Sequence, residues 1–123
     1  MAREARENAF APFSNFRVGA ALLTQDGTIF TGCNIENSTL GLTICAERVA
    51  LFKAISEGKR EFTRITIVTD AKLLSPPCGA CRQLLWEFCG DIVVDMVNLQ
   101  GGFDTLYVSA LLPSPFDVRY TRM

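Results

Sequence analysis

Apolar and polar positions divide the chain into short elements separated by turn-forming residues. Ala2 to Phe10 reads as a short charged helix. Arg17 to Thr24 is apolar and strand-like, Gln25-Asp26-Gly27 is a turn, and Thr28 to Ile35 alternates as a second strand, which together predict a hairpin. A polar loop, Glu36 to Leu42, leads to Thr43 as N-cap of a helix that runs to about Glu57, where Gly58 is placed to stop it. Cys45, Val49 and Phe52 form its inward column. Phe62 to Asp70 is rich in β-branched residues and reads as a buried strand. A loop ending in Pro76-Pro77 precedes a helix over Gly79 to Cys89, closed by Gly90. Its apolar residues Cys81, Leu84, Leu85 and Phe88 recur at i, i+3, i+4 and i+7, the spacing of one helix face. Ile92 to Val97 is a further strand. Gln100-Gly101-Gly102 turns into a short last strand, a helical turn follows near Val108 to Leu112, and Pro113 and Pro115 end the regular structure.

This order of hairpin, helix, strand, helix, strand and short strand predicts an α/β fold with a mixed sheet. Helices between strands imply crossovers. The turn at residues 100–102 is too short for one, so the last two strands should be antiparallel.

Composition narrows the function. The 123 residues predict a single domain over 1–123, and 49% hydrophobic residues are enough for a real core. Twelve basic and thirteen acidic residues leave a net charge of −1, with no basic face for a nucleic acid backbone. Arg3, Glu4, Arg6 and Glu7 stand where a signal peptide needs apolar residues, and no run is long enough for a membrane helix. A cytoplasmic protein with no membrane partner is expected. Five cysteines and no histidine argue for reduced thiols and exclude imidazole-based catalysis.

The thiols carry the candidate chemistry. Cys78 and Cys81 flank Gly79-Ala80 at a helix start, where the helix dipole favours thiolate. Cys45 lies in the first turn of the other helix. If both helices cover one sheet face, three thiolates meet at their N-termini, a zinc site with one position open. A redox dithiol would show the same Cys-x-x-Cys, but would leave Cys45 without a role. Cys33 and Cys89 read as buried small apolar residues. Either, as a fourth ligand, would make the zinc structural.

Glu47 favours the open site. Two residues after Cys45, its carboxylate would reach a water acidified by zinc, and thiolates beside it should raise its pKa, as a proton shuttle requires. Three thiolates and Zn²⁺ leave one net negative charge, which blunts the metal. Arg48, and secondarily Arg82, are candidates to hydrogen-bond the sulfurs and draw that charge off. A solvated surface arginine is the alternative for each.

Thr43-Ile-Cys-Ala-Glu-Arg48 followed by Ser75-Pro-Pro-Cys-Gly-Ala-Cys-Arg-Gln83 resembles the small cytidine deaminases of pyrimidine salvage, and carries the general zinc-deaminase signature. The resemblance extends through Ala11-Pro-Phe-Ser-Asn-Phe-Arg-Val-Gly-Ala-Ala-Leu22, Phe30-Thr-Gly-Cys-Asn-Ile-Glu-Asn37, Leu111-Leu-Pro113 and Phe116. It implies a three-layer cytidine-deaminase-like fold, a mixed five-stranded sheet with an initial β-hairpin and helices on both faces. It also implies one Zn²⁺ per subunit on Cys45, Cys78 and Cys81, with Glu47 shuttling protons to ring N3 and to the departing amine. Asn34 and Glu36 would hydrogen-bond the ribose 3′-hydroxyl. The Ala46 N–H would hold the pyrimidine, Phe16 would pack on the nucleoside, and Phe116 would stack on a base in a neighbouring subunit of a homotetramer. Plain core packing is the alternative for Phe16, and a C-terminal anchor for Phe116.

Two positions depart from the family's pattern. Leu40 and Phe13 stand where tyrosines are frequent, and the N-terminal helix is shorter than usual. The implied reaction is hydrolytic deamination of cytidine and 2′-deoxycytidine. Within the same superfamily, the rival is deamination of a modified aminopyrimidine nucleoside such as blasticidin S; outside it, a structural zinc module.

Overall fold

The computed structural model describes residues 1–39, 42–70 and 79–113. Its elements are α1 (Ala2–Arg6), β1 (Val18–Thr24), β2 (Ile29–Cys33), α2 (Ala46–Ser56), β3 (Phe62–Thr69), α3 (Gly79–Cys89), β4 (Val93–Asn98), β5 (Phe103–Tyr107) and α4 (Val108–Leu111). The strands form one five-stranded mixed sheet in the order β2-β1-β3-β4-β5. β1 is antiparallel to both β2 and β3, β3 is parallel to β4, and β5 is antiparallel to β4, as its short turn requires.

Two glycines set the layers. A Cβ on Gly19 would meet the backbone of Ala2 and Arg6, whereas one on Gly32 would meet that of Ala46 and Ala50. Gly19 pairs with Cys33, and Gly32 with Ala20, so these two registers belong to opposite faces of the sheet. α1 therefore packs on one face and α2 on the other, giving three layers. Arg6 fixes α1 further, donating from its guanidinium to Asp70 at the end of β3 and to Glu7 at 2.7 Å. On the α2 face Ala20, Leu22, Phe30, Ile65, Ile67, Val94 and Met96 meet Ala46, Ala50, Leu51, Ala54 and Leu85 in the core.

Strand direction then decides where the helices begin. β2 and β3 run the same way, because β1 is antiparallel to each. α2 follows β2 and α3 follows β3, so both helices start at the carboxyl edge of the sheet, the usual place for a ligand in α/β folds.

Several boundaries differ from expectation for tertiary reasons. α1 ends at Arg6 rather than near Phe10, because Phe10 pairs with Ile35. Ile35 also bridges Ile44, which shortens β2 to Cys33 and keeps Thr43 from capping α2; Cys45 is the N-cap instead. The inward column of α2 is Ala46, Ala50, Leu51 and Ala54, and Phe52 is 44% exposed. Phe88 is 39% exposed, so the inner face of α3 rests on Cys81 and Leu85, with Leu84 half-buried. Gly58 and Gly90, both with positive φ, follow α2 and α3 as the sequence predicts. Pro115 lies outside the described residues.

Candidate functional site

The chain approaches the carboxyl edge through three short segments clamped together. Phe10 N–H donates to Asn34 O at 3.0 Å, Glu36 N–H to Phe10 O at 2.8 Å, and Ile35 and Ile44 exchange two backbone bonds of 2.9 Å. The clamp holds Asn34 and Glu36 in register. Asn34 is buried, its Nδ2 donating to Phe16 O at 2.7 Å and its Oδ1 accepting from Val18 N–H at 2.9 Å. Glu36 Oε1 accepts from Phe13 N–H at 2.9 Å and Ser14 N–H at 3.1 Å, and the Ser14 hydroxyl donates to Oε2. Ser14 and these amides hold the Glu36 carboxyl below its ordinary range. Asn15, with φ of 57°, closes the preceding turn in the left-handed region that asparagine tolerates. Phe16 follows it, 37% exposed, and Phe13 is exposed as well. Nothing in the hydrophobic pattern marks Ser14; only the fold brings it to Glu36.

The catalytic candidates come from α2 and α3. Cys45 caps α2 in an extended conformation, and Ala46, fully buried, opens the helix where backbone N–H groups lack helical partners. Glu47 is 5% exposed. Burial pushes its carboxyl above the ordinary range and the Cys45 sulfur pushes the same way; its own backbone N–H, the Cys81 side chain and Arg48 pull against them. Arg48 Nη2 donates to Cys45 Sγ at 3.3 Å, and the guanidinium also hydrogen-bonds Cys81. Glu47 and Arg48 thus each touch the environment of both sulfurs, one on each helix. Arg82 donates from Nη1 to the Leu111 carbonyl at 2.7 Å, joining α3 to α4.

The remaining cysteines stand elsewhere. Cys33 shares its sheet face with Gly19, the α1 face, away from Cys45 and Cys81. Cys89 ends α3, eight residues and about 12 Å of helix rise from Cys81. Both are half-buried rather than fully buried, and neither meets the site as a fourth ligand. Burial pushes the Cys89 thiol up to about 12. Cys78, Leu40 and Phe116 lie outside the described residues.

The donor set fits a metal ion. Two sulfurs converge, and among the described residues no third ligand joins them; Cys78 is the remaining sequence candidate. Arg48 Nε is buried without a partner, a spare donor beside sulfurs that metal binding would make anionic. Cysteines at converging helix N-termini, with a buried carboxyl among them, define a candidate thiolate metal centre on an α/β sheet.

Comparison with known proteins agrees with that class. A family model described as the cytidine and deoxycytidylate deaminase zinc-binding region matches residues 1–96. The cytidine deaminase of Halalkalibacterium halodurans is 54% identical over 92% of this chain and 86% of its own. The crystal structure of cytidine deaminase from Burkholderia pseudomallei superposes with a TM-score of 0.91 at 47% identity, covering 94% of this chain and 93% of that one. The blasticidin-S deaminase of Bacillus cereus is more distant, 31% identical over 85% of this chain and 77% of its own. The chain belongs to the cytidine and deoxycytidylate deaminase family, and zinc is its metal. Among the described residues no helix is long and apolar enough to cross a membrane.

Proposed function

We propose that this chain catalyses the zinc-dependent hydrolytic deamination of cytidine and 2′-deoxycytidine, giving uridine or 2′-deoxyuridine and ammonia. The observation that carries the reading is Glu47: a buried carboxyl of raised pKa, set between Cys45 and Cys81 where two helices begin. A buried carboxyl whose pKa is raised can both accept a proton and give it back.

Cys45, Cys78 and Cys81 would hold the zinc, and the metal would supply Lewis acidity that makes a water nucleophilic near neutral pH. Glu47 accepts one proton of the attacking water and delivers it to ring N3 as the oxygen adds at C4. It then takes the remaining proton from the new C4 hydroxyl and passes it to the amino nitrogen, so that the C4–N bond breaks, ammonia leaves and the C4 carbonyl forms. Arg48 draws charge from the sulfurs, and Arg82 steadies α3 through Leu111. The Ala46 N–H holds the pyrimidine and Phe16 packs on the nucleoside. Asn34 and Glu36 take the ribose 3′-hydroxyl, each already oriented by backbone hydrogen bonds. Phe116 reaches a neighbouring subunit's base in a homotetramer, and the enzyme works in the cytoplasm.

Ammonia release from cytidine by the zinc-loaded protein, with Glu47→Gln alongside, tests this reading. Turnover by the wild type, lost by at least about a hundredfold in a variant that still holds zinc, supports it. A zinc-loaded wild type that turns over blasticidin S but not cytidine would transfer the reading to modified nucleosides, with Leu40 and Phe13 as the residues to examine.

A further inference from the structure

Among the described residues two buried side-chain polar atoms have no hydrogen-bond partner, Arg48 Nε and Thr69 Oγ1. Arg48 belongs to the site above. Thr69 has no part in it so far, yet it lies at the same edge of the sheet. It is the last residue of β3 and 2% exposed, paired with Val18 on β1 and Asn98 on β4. Alternation along the strand puts Thr69 on the face of Ile65 and Ile67, the face packed against α2 and α3. Both helices begin at this carboxyl edge of the sheet, α2 over Gly32 of β2 and α3 directly after the segment that follows β3. Val18 offers the hydroxyl no polar side chain, and Asn98 Oδ1 is occupied by the N–H groups of Gln100 and Gly102.

A hydroxyl buried without a partner forfeits its hydration with nothing in return, and valine would fill the same space without that cost. Such an orphan points to an acceptor that arrives when the site fills. This edge of the sheet supplies one. A thiol is a weak acceptor, but metal binding deprotonates it and leaves an anionic sulfur.

We propose that Thr69 is a positioning residue of the zinc site, its hydroxyl donating a hydrogen bond to a metal-bound cysteine sulfur. The inference rests on the thiolate-zinc reading given above. Thr69 works from the sheet side and Arg48 from the helix side, and each removes negative charge from the sulfurs. Partners of this kind orient the ligands and strengthen metal retention.

The test compares the full-length zinc-loaded protein with Thr69→Val and Thr69→Ser, adding Thr69→Ala should the valine variant not fold. Three quantities are read: zinc loss to a competing chelator, the sulfur-to-metal charge-transfer band after Co²⁺ substitution, and the melting midpoint of the metal-free protein. The hydroxyl-free variant should lose zinc about tenfold more readily and shift the band, while serine restores both. Its metal-free midpoint should not fall. A hydroxyl-free variant with wild-type retention and spectrum overturns the assignment and leaves the thiolate site standing. So does a metal-free midpoint that falls in step with zinc loss, because Thr69 would then be a packing residue. A wild type that takes up no zinc overturns both readings.

Discussion

Arg48 Nη2 lies 3.3 Å from Cys45 Sγ, three residues earlier in the chain and one turn below it on α2. That spacing aligns the two side chains on one face of the helix start. The same guanidinium reaches Cys81 on α3, so one cation bridges sulfurs from two elements that are distant in sequence. Removing it should leave the thiolates more electron-rich and the metal a weaker acid. Arg48→Gln is expected to lower kcat about 10–100-fold with zinc still bound, measured by steady-state kinetics beside metal analysis.

Gly32 sets how closely α2 approaches the sheet. A Cβ there would lie 2.6 Å from Ala50 N and closer still to the Ala46 carbonyl, so the helix start must shift. Gly32→Ala should cost about 1–3 kcal/mol of stability, read as a lower denaturation midpoint. Because Cys45, Ala46 and Glu47 move with the helix, activity should fall even where the protein stays folded.

Ser14 and two backbone amides hold Glu36 ionised below its ordinary value of 4.5. A carboxyl whose folded pKa is depressed adds stability above the unfolded pKa and loses it as pH falls through the folded one. Ser14→Ala should therefore raise the Glu36 pKa toward 4.5, seen by NMR titration of the side-chain carboxyl. The loss of stability in the variant should appear near and above pH 4.5 and vanish in strong acid, where both proteins carry a protonated Glu36.

The cysteines should separate by reactivity. With its thiol near 12, Cys89 remains protonated at neutral pH, and burial also raises Cys33. Chelation of the metal should open half-buried Cys45 to alkylation by iodoacetamide while Cys89 stays unmodified, read by peptide mass spectrometry. Cys89→Ala should keep full zinc occupancy, and Cys45→Ala should lose it.

Much of this was legible in the chain itself. The residue order Cys45-Ala-Glu-Arg48 and the Cys78-Gly-Ala-Cys81 spacing identify the metal chemistry, because ligand type and local helix geometry are properties of adjacent residues. The turn at residues 100–102 determined that β5 returns antiparallel, and Gly58 and Gly90 determined where two helices stop. The tertiary structure alone decided what depended on pairing between distant segments. Ile35 bonding both Phe10 and Ile44 shortened α1 and made Cys45 the cap in place of Thr43. The sheet order, with β1 antiparallel to two neighbours, brought both helix starts to one edge and put Cys33 on the opposite face. Whether Phe52 and Phe88 turn inward was decided there too, since a helix shows its faces in sequence but its neighbours only in the fold. Thr69 is the sharpest case: in sequence it is one more β-branched strand residue, and only its burial without a partner, at the sheet edge where two helices start, marks its hydroxyl.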